Sequence, residues 1–149
     1  MAKSILFIDD EPEFVRCQVT ALEEAGYDVI LETDADQAMT LLRKWEFDLI
    51  ILDLIMPPRQ QDRELSDQEP DYAETGQKLY REIRDILGLV NTPIVFLTVV
   101  RDQVVQDEIE QHERKCGQNL HYLRKPISSS EVVNEIQRAL GDPQSGDAL

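Results

Sequence analysis

Short apolar runs punctuate the chain at intervals, and each is followed by a stretch with helical spacing. The runs are residues 4–8 (SILFI), 27–31 (YDVIL), 48–52 (DLIIL), 93–97 (PIVFL) and 121–124 (HYLR). Residues 11–25, 34–44, 77–87, 101–115 and 128–140 alternate with them and place apolar side chains three or four apart. The first helical face reads Phe14, Val15, Val19 and Leu22, and the third reads Leu79, Tyr80, Ile83, Ile86 and Leu87. Strands separated by helices cannot pair as hairpins. Each crossover returns the chain to a parallel neighbour, which predicts an α/β fold with a sheet covered on both faces. The first, third and fourth runs are apolar on both faces and belong in the middle, while the second and fifth carry polar side chains and suit the edges. The strand order 2-1-3-4-5 meets this condition and is one of the two common doubly wound arrangements.

The last helix has the clearest ends. Ser128 and Glu131 have the spacing of a capping box, Ile127 and Val132 that of a hydrophobic staple, and Gly141 stops it. Residues 142–149 (DPQSGDAL) read as a polar, disordered tail. Residues 58–75 (PRQQDRELSDQEPDYAET) hold little apolar content and read as a surface insertion, with a helical turn around 63–67. It is either a solvated loop or a partner-binding element. The domain is therefore expected over residues 1–141.

The net charge of −15 over 149 residues argues against direct grip on nucleic acid, which needs clustered Lys and Arg. An acidic surface favours solubility and basic protein partners. No run of about 18 apolar residues occurs, so no membrane insertion is expected. The start of the chain lacks a secretory pattern, and Cys17 and Cys116 form no CxxC pair. Both point to a reduced, cytoplasmic setting. His112 and His121 sit among polar neighbours and read as surface histidines.

Ligands of doubly wound sheets sit beyond the carboxyl ends of the strands. Here strand one delivers Asp9 and Asp10, strand three Asp53, strand four Thr98, and strand five leads to Lys125 and Pro126. Two unit charges about 4 Å apart repel by about 4 kcal/mol at an effective dielectric of about 20. Three gathered carboxylates therefore need cations. Lys125 supplies one charge, and Mg²⁺, which prefers oxygen ligands, would supply more. A carboxylate can also act as nucleophile and form an aspartyl-phosphate. Asp53 is the central candidate for that role, with Asp9 and Asp10 placed to hold the ion.

The segments ILFIDDEP, DLIILDLIMPP, IVFLT and YLRKP closely resemble, in order, the receiver domain of two-component response regulators. The resemblance spans nearly the whole chain outside residues 58–75 and the tail. It implies a flavodoxin-like (receiver) fold and a signalling module rather than an enzyme. It also implies phosphoryl transfer from a histidine kinase or phosphotransfer protein onto Asp53 with Mg²⁺, and output through contacts with a downstream protein. In the family pattern Asp9, Asp10, Asp53 and the backbone carbonyl of Ile55 hold the metal. Thr98 is the switch hydroxyl, Lys125 contacts the phosphate, Tyr122 is the switch aromatic, and the Lys125–Pro126 bond is cis.

Several positions depart from the family pattern. The insertion lies beside the site. Gly76 fits the usual loop glycine, but Thr75 precedes it in place of an acidic or small residue. Val99 stands where a very small residue is usual, and its bulk is expected to slow phosphorylation by small donors. Ile55 and Val100 replace polar groups that orient hydrolytic water, which predicts a long-lived aspartyl-phosphate. The family reading expects a stand-alone phosphoacceptor without a fused effector. A receiver-like scaffold that works without phosphorylation is a second reading. A haloacid-dehalogenase-type phosphatase is a third, weakened by adjacent acids where a D-x-D pattern is required.

Overall fold

The computed structural model describes residues 2–60, 62 and 71–144. Five parallel strands form one sheet: β1 (Ser4–Ile8), β2 (Asp28–Glu32), β3 (Leu49–Leu52), β4 (Ile94–Thr98) and β5 (His121–Arg124). Their order is β2-β1-β3-β4-β5, as the strand compositions predict. The helices are α1 (Pro12–Glu24), α2 (Ala35–Lys44), α3 (Tyr72–Arg81), α4 (Gln103–Lys115) and α5 (Ser129–Leu140).

The two-residue period of the strands divides the core. Ile5 and Phe7 of β1 face α1 and α5, joining Val15, Leu22, Val132 and Ile136. Leu6 and Ile8 face the other way, against Ala38 and Met39 of α2 and Leu79 and Ile83. β3 and β4 are buried throughout, which is why they read as unbroken apolar runs.

Local chemistry sets the helix ends. Pro12 opens α1, where its missing N–H costs nothing. The Asp34 carboxylate accepts from the Asp36 and Gln37 amides at the start of α2, and the Ser128 hydroxyl accepts from Glu131 N at 3.2 Å at the start of α5. Gly141, with φ +71°, closes α5 in the left-handed conformation that glycine adopts without penalty. The expected tail begins pinned: Asp142 accepts from Lys3 Nζ at 2.6 Å and from the Tyr27 hydroxyl at 2.9 Å. Residues 145–149 lie outside the described residues.

Four sequence expectations need correction. First, α3 begins at Tyr72 rather than at residue 77, so the insertion ends sooner than its composition predicts. Asp71 caps the helix through Ala73 N at 3.0 Å, and Thr75 and Gly76 are buried against the strand ends. The turn expected at residues 63–67 lies outside the described residues. Second, the last turn of this helical segment, Glu82–Ile86, is π-helical. The wider turn changes the phase of the helix, so Arg84 is buried while Ile86, assigned to the core face, is exposed. Third, Phe14 is 70 % exposed: Val15, Val19 and Leu22 take the inner face of α1 and leave Phe14 about 100° away. Fourth, neither histidine is a free surface group. His112 bonds Tyr80 and Asp85, and His121 Nδ1 lies 2.7 Å from Glu135.

Candidate functional site

The carboxyl ends of β1, β3 and β5 place Asp9, Asp10, Asp53 and Lys125 together. Carboxylate oxygens of Asp9, Asp10 and Asp53 lie within 4.8 Å of one another. The Lys125 amine bridges two of these acids, donating to Asp9 Oδ2 at 2.7 Å and to Asp53 Oδ2 at 3.0 Å. The other oxygen of each acid is held by backbone: Asp9 Oδ1 accepts from Glu11 N at 2.9 Å and Asp53 Oδ1 from Ile55 N at 3.0 Å. Both side chains are thus oriented from two sides. Lys125 is placed by the strand register, since its amide donates to the Thr98 carbonyl at 2.9 Å, and the peptide bond to Pro126 is cis.

The electrostatics reflect this crowding. Asp9 is fully buried, and burial pushes its carboxyl up to about 6 against the pull of the Lys125 and Glu11 hydrogen bonds, with Asp53 adding repulsion. Asp10 is also raised, by burial first and then by the charges of Glu11 and Asp53. Burial alone would lower the Lys125 amine, but its hydrogen bond to Asp9 and the charges of Asp53 and Asp9 outweigh it and hold the amine above its ordinary value. One lysine therefore leaves a surplus of negative charge facing solvent at Asp10. The donor set consists of carboxylate oxygens, which suit a hard divalent cation such as Mg²⁺.

Thr98 ends β4, fully buried, with its Oγ1 accepting from Val100 N at 3.3 Å. Tyr122 is half-buried. Its hydroxyl donates to the Val100 carbonyl at 2.7 Å and its ring stacks on Phe96 with centroids 5.9 Å apart. Burial pushes its phenol up to about 12. The hydroxyl is thereby tied to the loop after Thr98.

Beside Asp53 and Lys125 opens a cleft of about 420 Å³, walled by Phe14, Ile55, Val99 and Ile127. Phe14 and Ile127 belong to the site's surroundings in a way the sequence reading missed. The signal was present in the spacing: with Val15, Val19 and Leu22 turned inward, Phe14 falls on the neighbouring stripe. Two further charged groups were missed. Arg59, at the start of the insertion, pairs with Asp36 of α2 at 2.6 Å and with Glu82. Arg84 pairs with Glu113 in the interior. None of these three partners is close in sequence, so no local pattern announces the pairs.

The family model for the response regulator receiver domain matches residues 5–137. The chain belongs to that family. Among curated relatives, the probable transcriptional regulator ycf27 of Porphyridium aerugineum is 30 % identical over 138 residues, covering 93 % of this chain and 48 % of the relative. The transcriptional regulatory protein BaeR of Escherichia coli is 30 % identical over 139 residues, covering 91 % of this chain and 47 % of the relative. The chain spans about half the length of the curated relatives it matches. Among solved structures, the chemotaxis response regulator CheY4 of Vibrio cholerae superposes with a TM-score of 0.70 at 25 % identity, covering 94 % of this chain and all of that one. A CheY-like receiver domain protein from Methanospirillum hungatei shares the fold with a TM-score of 0.70 at 18 % identity, covering 95 % of each chain. No helix among the described residues is long and apolar enough to cross a membrane.

Proposed function

We propose that this chain takes a phosphoryl group onto Asp53 from a histidine kinase or phosphotransfer protein and passes the signal on through a changed protein-binding surface. The observation that carries the reading is the Lys125 amine lying 2.7 Å from Asp9 and 3.0 Å from Asp53 beside a third carboxylate. Such an arrangement suits an acid that must hold a phosphoryl group.

Asp9, Asp10, Asp53 and the carbonyl of Ile55 would hold Mg²⁺, which when bound offsets the charge of the phosphoryl oxygens. The Asp53 carboxylate oxygen forms a bond to phosphorus while the phosphorus–nitrogen bond to the donor imidazole breaks, and the electron pair leaves with the imidazole, which is reprotonated. Lys125 moves its positive charge from the free Asp53 carboxylate to a phosphoryl oxygen. Thr98 donates its hydroxyl to another. That draws on the loop carrying Val100 and, through the hydroxyl of Tyr122, on the aromatic ring behind it. The exposed Phe14 and Val99 offer apolar surface to a protein donor beside Asp53.

The test is Mg²⁺-dependent transfer from a phosphorylated histidine kinase to wild type and to Asp53→Asn. Labelling of wild type alone is expected. Undiminished labelling of the Asn variant would remove Asp53 from its role.

A further inference from the structure

Helix α4 is attached unevenly. Its buried residues are Ile109, at its midpoint, and Glu113, in its last turn. The first two turns expose Gln103, Val104, Asp107 and Glu108, and they are held by the half-buried Val105 against the core and by the exposed hydrogen bond from Arg124 of β5 to Gln106 at 2.7 Å.

The last turn is held quite differently. Glu113 is fully buried and receives both arms of the equally buried Arg84, Nε to Oε1 at 2.7 Å and Nη2 to Oε2 at 2.8 Å. The Tyr80 hydroxyl donates to the same Oε1 at 2.5 Å. Arg84 Nη1 donates to the carbonyls of Leu89 and Thr92, each at 2.6 Å. His112 extends the network, with Nδ1 3.0 Å from the Tyr80 hydroxyl and Nε2 3.0 Å from Asp85. Gln118, just beyond the helix, donates its side-chain amide to the Val90 carbonyl at 2.8 Å. The π-helical turn Glu82–Ile86 is what turns Arg84 inward to meet Glu113. A paired, bidentate buried charge with its remaining donors satisfied is a rigid joint, because parting it would strand charges away from water.

This joint lies at the end of an aromatic row that starts at the site. Tyr122 stacks on Phe96, Phe96 meets Tyr80 edge-to-face at 5.2 Å, and Tyr80 donates to Glu113. At the other end, the Val100 carbonyl that holds Tyr122 is two residues before Asp102, the cap of α4. A displacement of residues 98–100 therefore enters α4 at its loose end, while the row and the ion pair hold its far end.

We propose that the Glu113–Arg84–Tyr80 joint is a fixed pivot, about which α4 swings at its first two turns when Asp53 is modified. The inference rests on the phosphoacceptor reading for the trigger, whereas the pivot itself rests on the joint. No phosphate chemistry is assigned to these residues; they act by setting which part of α4 can move.

Amide hydrogen exchange, resolved by residue, tests this on the full chain with Mg²⁺, before and after adding beryllofluoride as a tetrahedral stand-in for the phosphoryl group. Exchange over residues 102–108 should change by about tenfold, and over residues 109–116 by less than about twofold. Tyr80→Phe keeps the ion pair and the core volume but removes one tie, and should spread the change into residues 109–116. A uniform change along α4, a larger change at its last turn, or a Tyr80→Phe profile identical to wild type would overturn the pivot. If beryllofluoride fails to bind, the phosphoacceptor reading fails instead. The pivot is then judged on the unmodified protein, where residues 112–115 should exchange at least about tenfold more slowly than residues 105–108, and equal rates would overturn it.

Discussion

Gly76 is the position where one methyl group tests how the site is built. A Cβ added there would lie 2.1 Å from the carbonyl oxygen of Leu54, 2.3 Å from its Cα and 2.5 Å from its carbonyl carbon. All three are backbone atoms, so no side chain can swing aside. Helix α3 must instead back away from the strand end by roughly 1 Å to restore ordinary van der Waals spacing. Overpacking of this kind costs about 1–3 kcal/mol, and the rigidity on both sides places Gly76→Ala at the upper end. Replacing a helical glycine by alanine returns up to about 1 kcal/mol, which leaves a net loss of about 2 kcal/mol. Leu54 lies between Asp53 and Ile55, so the same displacement moves the backbone that orients the Asp53 carboxylate through Ile55 N. The variant should show a lower urea midpoint with an unchanged slope, and slower Mg²⁺-dependent labelling of Asp53 under conditions where it remains folded. A Gly76→Ala protein as stable as wild type, or more stable, would refute the claim that α3 abuts the backbone at Leu54.

Other outcomes arise from the charges. Asp9 keeps its proton to about pH 6 in the folded, metal-free protein but ionises near 3.8 when unfolded, so its contribution to stability falls as pH rises across that window, by on the order of 3 kcal/mol. The urea stability of wild type minus that of Asp9→Asn, measured in chelator, should decline between pH 4 and 6; a flat or rising difference would contradict this. Arg84→Met strands the buried Glu113 and should cost about 3–5 kcal/mol, whereas Arg84→Met with Glu113→Leu should recover most of it in thermal melts. An equal loss in both proteins would mean that the single change does not strand Glu113. With Ile55 apolar beside Asp53 and Val100 apolar in the loop after Thr98, the phosphorylated protein should decay with a half-life far longer than seconds in Mg²⁺, measured by loss of label. Val99→Ala should speed labelling by a small phosphoryl donor more than labelling by a kinase, and an equal effect on both would clear Val99 of guarding the site.

Local patterns were enough to predict the alternation of strands and helices, the strand order, and the gathering of Asp9, Asp10, Asp53 and Lys125 at one sheet edge. Strand period, strand polarity and the position of each residue just past a strand are all written along the chain, and the parallel topology converts them into proximity. What the tertiary structure alone decided depends on helix phase or on pairs distant in sequence. The π-helical turn exchanged Arg84 for Ile86 at the core face, because one residue added to a turn rotates everything after it. Helix α3 starts at Tyr72, capped by Asp71, and packs Gly76 on the Leu54 backbone, through a stretch whose composition reads as loop. Glu113 and His112 look like ordinary polar residues of a weakly amphipathic helix until Arg84 and Tyr80, about thirty residues earlier, are brought against them. Burial of a charge is a property of the partner it meets, and that partner is chosen by the fold.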